Sequence, residues 1–295
     1  MKTTKLFTIL ALSSIATCLY AQLGGGSSAY REQRQTGLNE ARANELAKRK
    51  IAPDDPGNYL DAAVLMNVEA DEYIAVFGVN EEGTTLDQAR FNMEKAIASF
   101  VDGLKQLKIA PSDYFVDFVS QNRIYGFDSS DKSLVKEVVV GFEVKKNISI
   151  RYKDKSLLNA LTAAASKAGI FDLVKVDYIV KDLTAIRAKL MEEASRIIKQ
   201  KAEEQERLLG MKIGRFTVVY PGQVSTYFPT DMYESYVAQE SEEVIGYREN
   251  VNIQRARKPK TFFYNGLNAK DFDAVINPVT VEPTVQFTLY VRVKY

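Results

Sequence analysis

The stretch VVGFEVKKNISIRYKDKSLLNALTAAASKAGI, residues 139–170, decides the fold class, because it changes from one periodicity to another within a few residues. Its first half alternates apolar and polar residues from Val140 to Ile150, which is the period of a β-strand or of a hairpin. Its second half repeats apolar residues at helical spacing from Leu157, with Asp154 placed to cap the helix and Gly169 to end it. The stretch therefore predicts a strand or hairpin followed by a packed helix.

Residues on the amino-terminal side of this stretch predict the same two kinds of element. Leu60–Val79 reads as one long strand, with alternating apolar residues in its second half. Thr85 then offers an N-cap to an amphipathic helix that ends before Pro111, and Asp113–Tyr125 alternates as another strand.

Residues on the carboxyl-terminal side extend the pattern. Leu173–Val180 predicts a strand and Leu183–Leu209 a long amphipathic helix, in which Glu192 faces Arg196 and Glu203 faces Arg207. Gly210 and Gly214 bracket the turn into a strand at Arg215–Tyr220, and Val285–Tyr295 alternates more clearly than any other segment. A buried sheet strand is the interpretation of this last segment. The fold class that follows is α+β, with antiparallel sheets and amphipathic helices packed on one face.

The first residues predict export. Lys2 and Lys5 precede an apolar run from Leu6 to Ala16 that is too short to span a bilayer. Cleavage after Ala21 fits this signal peptide, whereas Thr17 beside Cys18 fits a lipoprotein signal poorly, so lipidation at Cys18 is the alternative. No later stretch is apolar enough for a transmembrane helix. The expected location is the periplasm or outer envelope.

Composition narrows the chemistry that is open to this chain. The 295 residues include no histidine and no tryptophan, and the single cysteine lies in the predicted leader. The mature protein therefore lacks the most frequent general base, the usual zinc ligands and a thiol nucleophile. The net charge of +1 provides no overall field for nucleic acid. We predict no catalytic residue, no cofactor, no metal and no nucleic-acid partner.

Three passages resemble the SIMPL-domain family of exported bacterial proteins. They are VEADEYIAVFGV (68–79) with LKQLKIAPSDY (104–114), the stretch at 139–170 quoted above, and KAEEQERLLGMKIGRF (201–216), and PTVQFTLYVRVKY (283–295) matches the closing strand. The resemblance implies an α+β fold with a smaller α/β subdomain inserted in a larger one. It also implies a periplasmic or outer-envelope location, ring-like oligomers and an association with envelope stress.

The predicted organisation has four parts. Residues 1–21 are the signal peptide, and 22–58 are a flexible spacer and a charged helical segment. Residues 59–111 and 184–295 form the discontinuous main subdomain, with 112–183 inserted between them. Within the main subdomain, 221–277 is a long tyrosine-rich elaboration, and deleting it is expected to reduce oligomer size without unfolding the core.

Two groups of residues are candidates for ligand or interface contacts. The first is a basic run with adjoining aromatic residues, which suits lipid phosphate, acidic glycan or a neighbouring subunit; a plain solvated loop is the alternative. The second is a set of tyrosines that suits an interface core, a sugar platform or local packing. The candidate residues are Arg255, Arg257, Lys258, Lys260, Phe262, Phe263, Tyr264, Tyr227, Tyr233 and Tyr236.

Acidic clusters are interpreted as solvated surface rather than as a glycosidase pair or a calcium shell. They comprise Glu192 and Glu193, then Glu203, Glu204 and Glu206, and finally Glu240, Glu242 and Glu243. The function expected from all these features is that of a non-enzymatic exported envelope protein that assembles into a homo-oligomer and has a link to envelope or oxidative stress. The alternative is a binding module for an anionic or glycan ligand, and the third hypothesis is a carboxylate-dependent hydrolase.

Overall fold

The computed structural model describes residues 57–131, 134–216, 218–236, 261–278 and 280–295. The predicted signal peptide and nearly all of the predicted spacer lie outside these residues. The elements are β1 Tyr59–Val68, β2 Glu72–Gly83, α1 Leu86–Gln106, β3 Tyr114–Asp131, β4 Leu134–Tyr152, α2 Leu157–Lys167, β5 Asp172–Ile179, α3 Leu183–Leu209, β6 Val218–Pro221, β7 Ser225–Tyr227, β8 Tyr233–Tyr236, β9 Thr261–Tyr264, β10 Ala274–Ile276 and β11 Val285–Lys294.

The first hydrophobic core lies between a four-stranded antiparallel sheet and two helices. The sheet has the order β3-β4-β2-β5, and α1 and α2 connect β2 to β3 and β4 to β5. This βαββαβ succession is the split βαβ arrangement of ferredoxin-like units. The core contains fully buried side chains from both layers, among them Phe77, Phe100, Ile148 and Leu161.

Helix α1 follows the predicted pattern closely. Thr85 accepts a hydrogen bond from the backbone N–H of Gln88 and so caps the first turn. Gly103 lies where α1 approaches α2, because a Cβ at this position would be only 3.1 Å from that of Ala164. The absence of a side chain at Gly103 thus lets the two helices pack closely. The helix α2 ends before Gly169, which has a φ of 81° and is the predicted stop.

The second core lies between α3 and a five-stranded sheet. The order β10-β1-β11-β6 forms the main path, and β7 also pairs with β11. β1 and β11 are antiparallel along their whole length, from Tyr59 opposite Lys294 to Val68 opposite Val285. The alternate apolar residues of β11 face α3 and are buried with Leu190, as the sequence predicts for a buried sheet strand.

These elements confirm the predicted α+β class but correct two sequence interpretations. Leu60–Val79 is not one strand: β1 ends at Val68, β2 begins at Glu72, and the two strands belong to different sheets. The three residues between the strands include neither glycine nor proline, so the pattern continues through the break. In α3, Arg196 pairs with Glu193, at 2.6 Å between Nη2 and Oε1, rather than with the predicted Glu192.

The boundary of the inserted unit also differs from the predicted one. Residues 72–111 were expected to belong to the main subdomain, whereas β2 and α1 share the sheet and core of β3, β4 and β5. The inserted unit therefore begins at Glu72 rather than at residue 112. The reason is that β2 lies between β4 and β5 and supplies the centre of their sheet.

The described part of 221–277 is built into the second sheet. It contributes β7 and β10, and Gln286 Nε2 donates to Asn67 Oδ1 at 2.8 Å while Gln286 Oε1 accepts from Leu267 N at 2.7 Å. Asn277 donates to the carbonyl of Asn67 at 3.0 Å. Deleting this segment would remove the strands that pair with β1 and β11 on their other edges. The structure therefore leads us to expect that the deletion destabilises the second core, contrary to the expectation from the sequence.

Candidate interaction surface

The hairpin of β3 and β4 extends well beyond the rest of its sheet. The last pair between β2 and β4 is Gly83 with Phe142, whereas β3 and β4 continue to pair from Ile124 opposite Gly141 to Asp131 opposite Leu134. We call residues 124–131 and 134–141 the ribbon. Within the described residues it is covered by no helix and flanked by no third strand.

The ribbon exposes large apolar side chains, which is unusual for strands of a packed sheet. The exposed fraction of the side chains reaches 76% for Phe127 and 60% for Val135. The other exposed apolar residues of the ribbon are Tyr125, Val138, Val139 and Val140. A long apolar edge of this kind is a template for pairing with another chain.

The base of the ribbon is held in place by polar contacts to the rest of the unit. Arg90 of α1 donates to Gln121 Oε1 at 3.0 Å, and Glu143 accepts from Asn80 of β2 and pairs with Lys145 of its own strand at 3.0 Å. Burial opposes the ionisation of Glu143, but Lys145 and hydrogen bonds from Asn80 and Asn122 together hold its pKa below the usual value. The ribbon therefore projects from a fixed base.

A groove of about 270 Å³ lies beside this base, between α1 and the first half of the hairpin. The apolar residues of its lining are Met93 and Val144, which are buried, and Phe118, which is 59% exposed. The polar residues of the lining are Arg90, Lys146, Glu94 and Gln121.

The charges of the groove are not neutralised by ion pairs. None of the ion pairs between described residues involves Arg90, Lys146 or Glu94. Two cations and one carboxylate leave the groove with a net positive charge. A lining that combines apolar side chains with an excess of cations suits a group that carries both an aromatic ring and a negative charge.

The predicted aromatic candidates lie elsewhere, on the segment that covers the second sheet. Tyr227 is buried in β7, and Tyr233 forms an edge-to-face contact with Tyr264 across β8 and β9, with ring centroids 6.1 Å apart. Tyr264 also donates to the carbonyl of Thr284 at 3.3 Å. These three residues therefore pack within their own chain.

The remaining aromatic candidates lie on the same two strands. Phe262 and Phe263 are in β9, where Phe263 is 45% exposed, and Tyr236 ends β8 opposite Thr261. The basic candidates Arg255, Arg257, Lys258 and Lys260 lie outside the described residues, as do Glu240, Glu242 and Glu243. The proposed ligand or subunit contact of the basic aromatic patch stays a prediction.

A second aromatic cluster connects the two cores. Tyr73 stacks on Tyr152, with centroids 5.4 Å apart, and makes an edge contact with Tyr178 at 5.3 Å. Burial raises the pKa of Tyr178 to about 12 and that of Tyr152 still further. All three are partly or fully buried, which indicates a packing role rather than a proton-transfer site.

The acidic residues that the structure describes on α3 do not converge. Glu193 pairs with Arg196, Glu204 accepts from Gln200, and Glu206 accepts from the backbone N–H of Ile213. Among the described residues, no group of three or more acidic side chains has an arrangement that would hold a metal ion. None of the helices in this part of the chain is long and apolar enough to cross a bilayer.

Sequence reasoning missed the ribbon and the groove. The alternation of Val138, Val140 and Phe142 was interpreted as a sheet strand, which is correct, but alternation alone does not show where a hairpin outgrows its sheet. The signal that could have indicated exposure is the consecutive run Val138-Val139-Val140, since no two-layer arrangement buries both faces of a hairpin end.

The fold defines an α+β protein in which a split βαβ unit is inserted into a second sheet, with a projecting apolar ribbon. The SIMPL family model, described as a protein of unknown function (DUF541), matches residues 62–292. The chain belongs to this family. The match confirms the resemblance seen in the sequence.

Comparisons with individual proteins add little. No curated protein matches the chain. One similar structure is a hydantoinase/carbamoylase family amidase from Burkholderia ambifaria, with 15% identity, 45% of this chain and 34% of that chain covered, and a TM-score of 0.19. Another is AtUAH in complex with (S)-hydroxyglycine, with 10% identity, 47% and 34% covered, and a TM-score of 0.17. The chain spans about a third of the length of each of these two proteins.

Proposed function

We propose that this protein is a non-enzymatic, exported envelope protein that assembles with copies of itself, and that the ribbon is its main contact. The observation that carries this proposal is the exposure of six large apolar side chains on one projecting hairpin, Tyr125, Phe127, Val135, Val138, Val139 and Val140. Tyr125, Phe127, Val135 and Val139 share one face of the ribbon, and Val138 and Val140 lie on the other. Monomeric proteins seldom expose an apolar patch of this kind without a partner.

The energetics favour an assembly that buries more than the ribbon alone. Fully burying one such side chain contributes roughly 1.5–3 kcal/mol. Since these six side chains are only partly exposed, one ribbon contributes on the order of 5–10 kcal/mol. Association itself costs about 4–15 kcal/mol in lost freedom of motion. The two ranges overlap, so a stable oligomer requires further contacts beside the ribbon.

The first test removes the ribbon while keeping its base. Arg123 and Phe142 face each other across β3 and β4, so residues 124–141 can be replaced by Asn-Gly, which closes a two-residue hairpin. Light scattering on a size-exclusion column is expected to show an oligomer for the native chain and a smaller mass for the variant. Circular dichroism and thermal unfolding serve as controls for the fold.

A milder variant distinguishes loss of assembly from loss of folding. The substitutions Phe127→Thr, Val135→Thr and Val139→Thr remove apolar area. Each places threonine, a β-branched residue that favours strands, at the substituted position. The matched control is the triple substitution of exposed apolar residues outside the ribbon, Phe91→Thr, Phe171→Ser and Val281→Thr. An unchanged mass for the ribbon variants would remove the ribbon from the interface, and a monomeric native chain would reject self-assembly.

Export is part of the same proposal and has its own prediction. The mature protein is expected in the periplasmic or outer-envelope fraction with Gln22 as its first residue, because the apolar run of the leader ends shortly before Ala21. Mass spectrometry of the fractionated protein checks this, with Cys18→Ser as the control for lipidation. A protein that keeps its leader and stays in the cytoplasm would contradict the proposal. A lipid on Cys18 would contradict only the predicted cleavage site.

The link to envelope or oxidative stress rests on the family resemblance alone. If it holds for this chain, a deletion strain is expected to lose viability under peroxide or detergent, and the ribbon variant is expected to fail to restore it. Equal survival of the deletion and native strains would remove the stress role and leave the assembly proposal untouched.

A further inference from the structure

We infer that one face of one copy's ribbon docks on the groove of the next copy, so that the subunits join head to tail. This inference rests on the proposed self-assembly and specifies the two surfaces that meet. The docking part consists of Phe127 and Glu137, which we call the knob. The receiving part is the groove between α1 and the base of the hairpin.

The knob combines an aromatic ring with a carboxylate. Phe127 and Glu137 are directly opposite each other on β3 and β4, so their side chains share one face of the ribbon. Phe127 is 76% exposed and Glu137 is exposed as well. None of the ion pairs between described residues involves Glu137.

The groove is complementary to the knob in both apolar character and charge. The exposed Phe118 of its lining can contact the ring of Phe127, and Arg90 and Lys146 can pair with the carboxylate of Glu137. Glu94, the one acidic side chain in the lining, leaves an excess of positive charge. A cation and a carboxylate that each lack an ion pair within their own chain would pair across the interface.

Geometry requires that the knob and the groove come from different molecules. Gln121 lies in the groove lining and Phe127 lies six residues further along the same strand. At 3.2–3.4 Å per residue the two are about 20 Å apart on one rigid hairpin. A copy cannot fold its own knob into its own groove.

The contact joins two different surfaces and is therefore heterologous. Such contacts generate a closed ring when the rotation between subunits closes and an open filament when it does not. Each subunit buries its knob against one neighbour and its groove against the other. The groove thus adds contact area to that of the ribbon, which alone does not contribute enough to stabilise an oligomer.

Charge reversal tests this inference. Glu137→Lys places a cation against the groove, and the double variant Arg90→Glu with Lys146→Glu places two carboxylates against the knob. Like charges facing each other across an interface are strongly unfavourable, so each variant is expected to raise the half-assembly concentration at least about tenfold. The matched controls are Lys136→Glu, opposite Asp128 on the other ribbon face, and Lys95→Glu with Lys167→Glu, on exposed helix positions.

Mixing the two variants provides the decisive measurement. The Glu137→Lys copy has a positive knob and a positive groove, and the double variant has a negative knob and a negative groove. Mixed one to one, every contact again joins opposite charges, so assemblies of strictly alternating copies are expected.

The outcomes separate the inference from the proposal on which it rests. A native oligomer whose mass neither variant changes overturns the knob and groove contact while leaving self-assembly in place. If both variants lose assembly and mixing them does not restore it, the knob and groove contact is also overturned. The groove residues would then bind a partner other than the knob. A native chain that is monomeric at every concentration rejects both.

Discussion

Arg292 shows at the scale of one residue how the outward face of β11 is stabilised. Its Nε and Nη2 donate to the two carboxylate oxygens of Asp61 at 2.6 and 3.0 Å, and Nη2 also lies 2.6 Å from the hydroxyl of Tyr290. The pair joins β1 to β11 at a position where the side chain of Arg292 is only 16% exposed. Bidentate geometry makes this a stronger contact than an ordinary surface ion pair.

Tyr290 gives this cluster a dependence on alkaline pH. Burial, aided by the neighbouring Asp61, raises the pKa of Tyr290 from 10.0 to about 12. The folded protein therefore holds this proton more tightly than the unfolded chain, which contributes stability below about pH 10 that is lost as the pH rises to about 12. We expect Tyr290→Phe to reduce the decline in the free energy of unfolding over this range.

The measurement is urea unfolding at several pH values between about 9 and about 12. Tyr178→Phe, at the other tyrosine with a pKa raised to about 12, should reduce the decline in the same direction. An equal decline in native and Tyr290→Phe protein would show that this hydroxyl does not contribute to the pH dependence.

At the scale of elements, α3 was predicted with the bounds that the structure shows, because its signals are local. Asp182 accepts from the backbone N–H of Ala185 at 2.8 Å, and Gly210 ends the helix with a φ of 64°. Gly210 was identified in the sequence as part of the turn after the helix, whereas the Asp182 cap is seen in the structure; both depend only on residues at the helix ends. The same reasoning explains why the predicted N-cap of α1, Thr85, is correct.

The cap of α3 leads to a quantitative prediction. Asp182→Ala leaves an unpaired backbone donor in the first turn, and we expect the free energy of unfolding to fall by about 0.5–2 kcal/mol. Asp182→Ser should recover most of this loss, because serine also accepts from that N–H. Denaturant unfolding of the three proteins checks the order, and an alanine variant as stable as the native chain would contradict it.

Features that depend on distant residues were predicted less well. The break at Glu69–Asp71 was missed because β1 and β2 are both apolar and only their different partners, β11 and β4, separate them. The ribbon was missed because its exposure depends on where β2 ends. In each case the decisive fact is a strand pairing, which periodicity within one segment does not specify.

At the scale of the whole molecule, two cores with separate sheets predict separate responses to cavities. Leu161 of α2 and Leu190 of α3 are both fully buried, the first in the first core and the second in the second core. Each substitution to alanine is expected to lower the free energy of unfolding by about 2–5 kcal/mol. Hydrogen exchange should then increase mainly in β2 and β4 for Leu161→Ala and in β1 and β11 for Leu190→Ala.

Leu208→Ala, at a side chain that is 67% exposed on α3, is the control and should leave both regions unchanged. Equal acceleration of exchange in both sheets by either core variant would indicate that the tyrosine cluster of Tyr73, Tyr152 and Tyr178 couples the cores into one cooperative unit.

The pairing of β1 with β11 also determines the order in which the two cores can form. Asp61 and Arg292 are partners in space but are separated by 231 positions in the chain. During synthesis, β1 is therefore made long before the strand beside it, whereas β2 through β5 form an uninterrupted segment that can close its own core. Until β11 has been synthesised, the apolar residues of β1 are exposed and can contact other chains. A chaperone that binds the incomplete protein is therefore expected to bind β1.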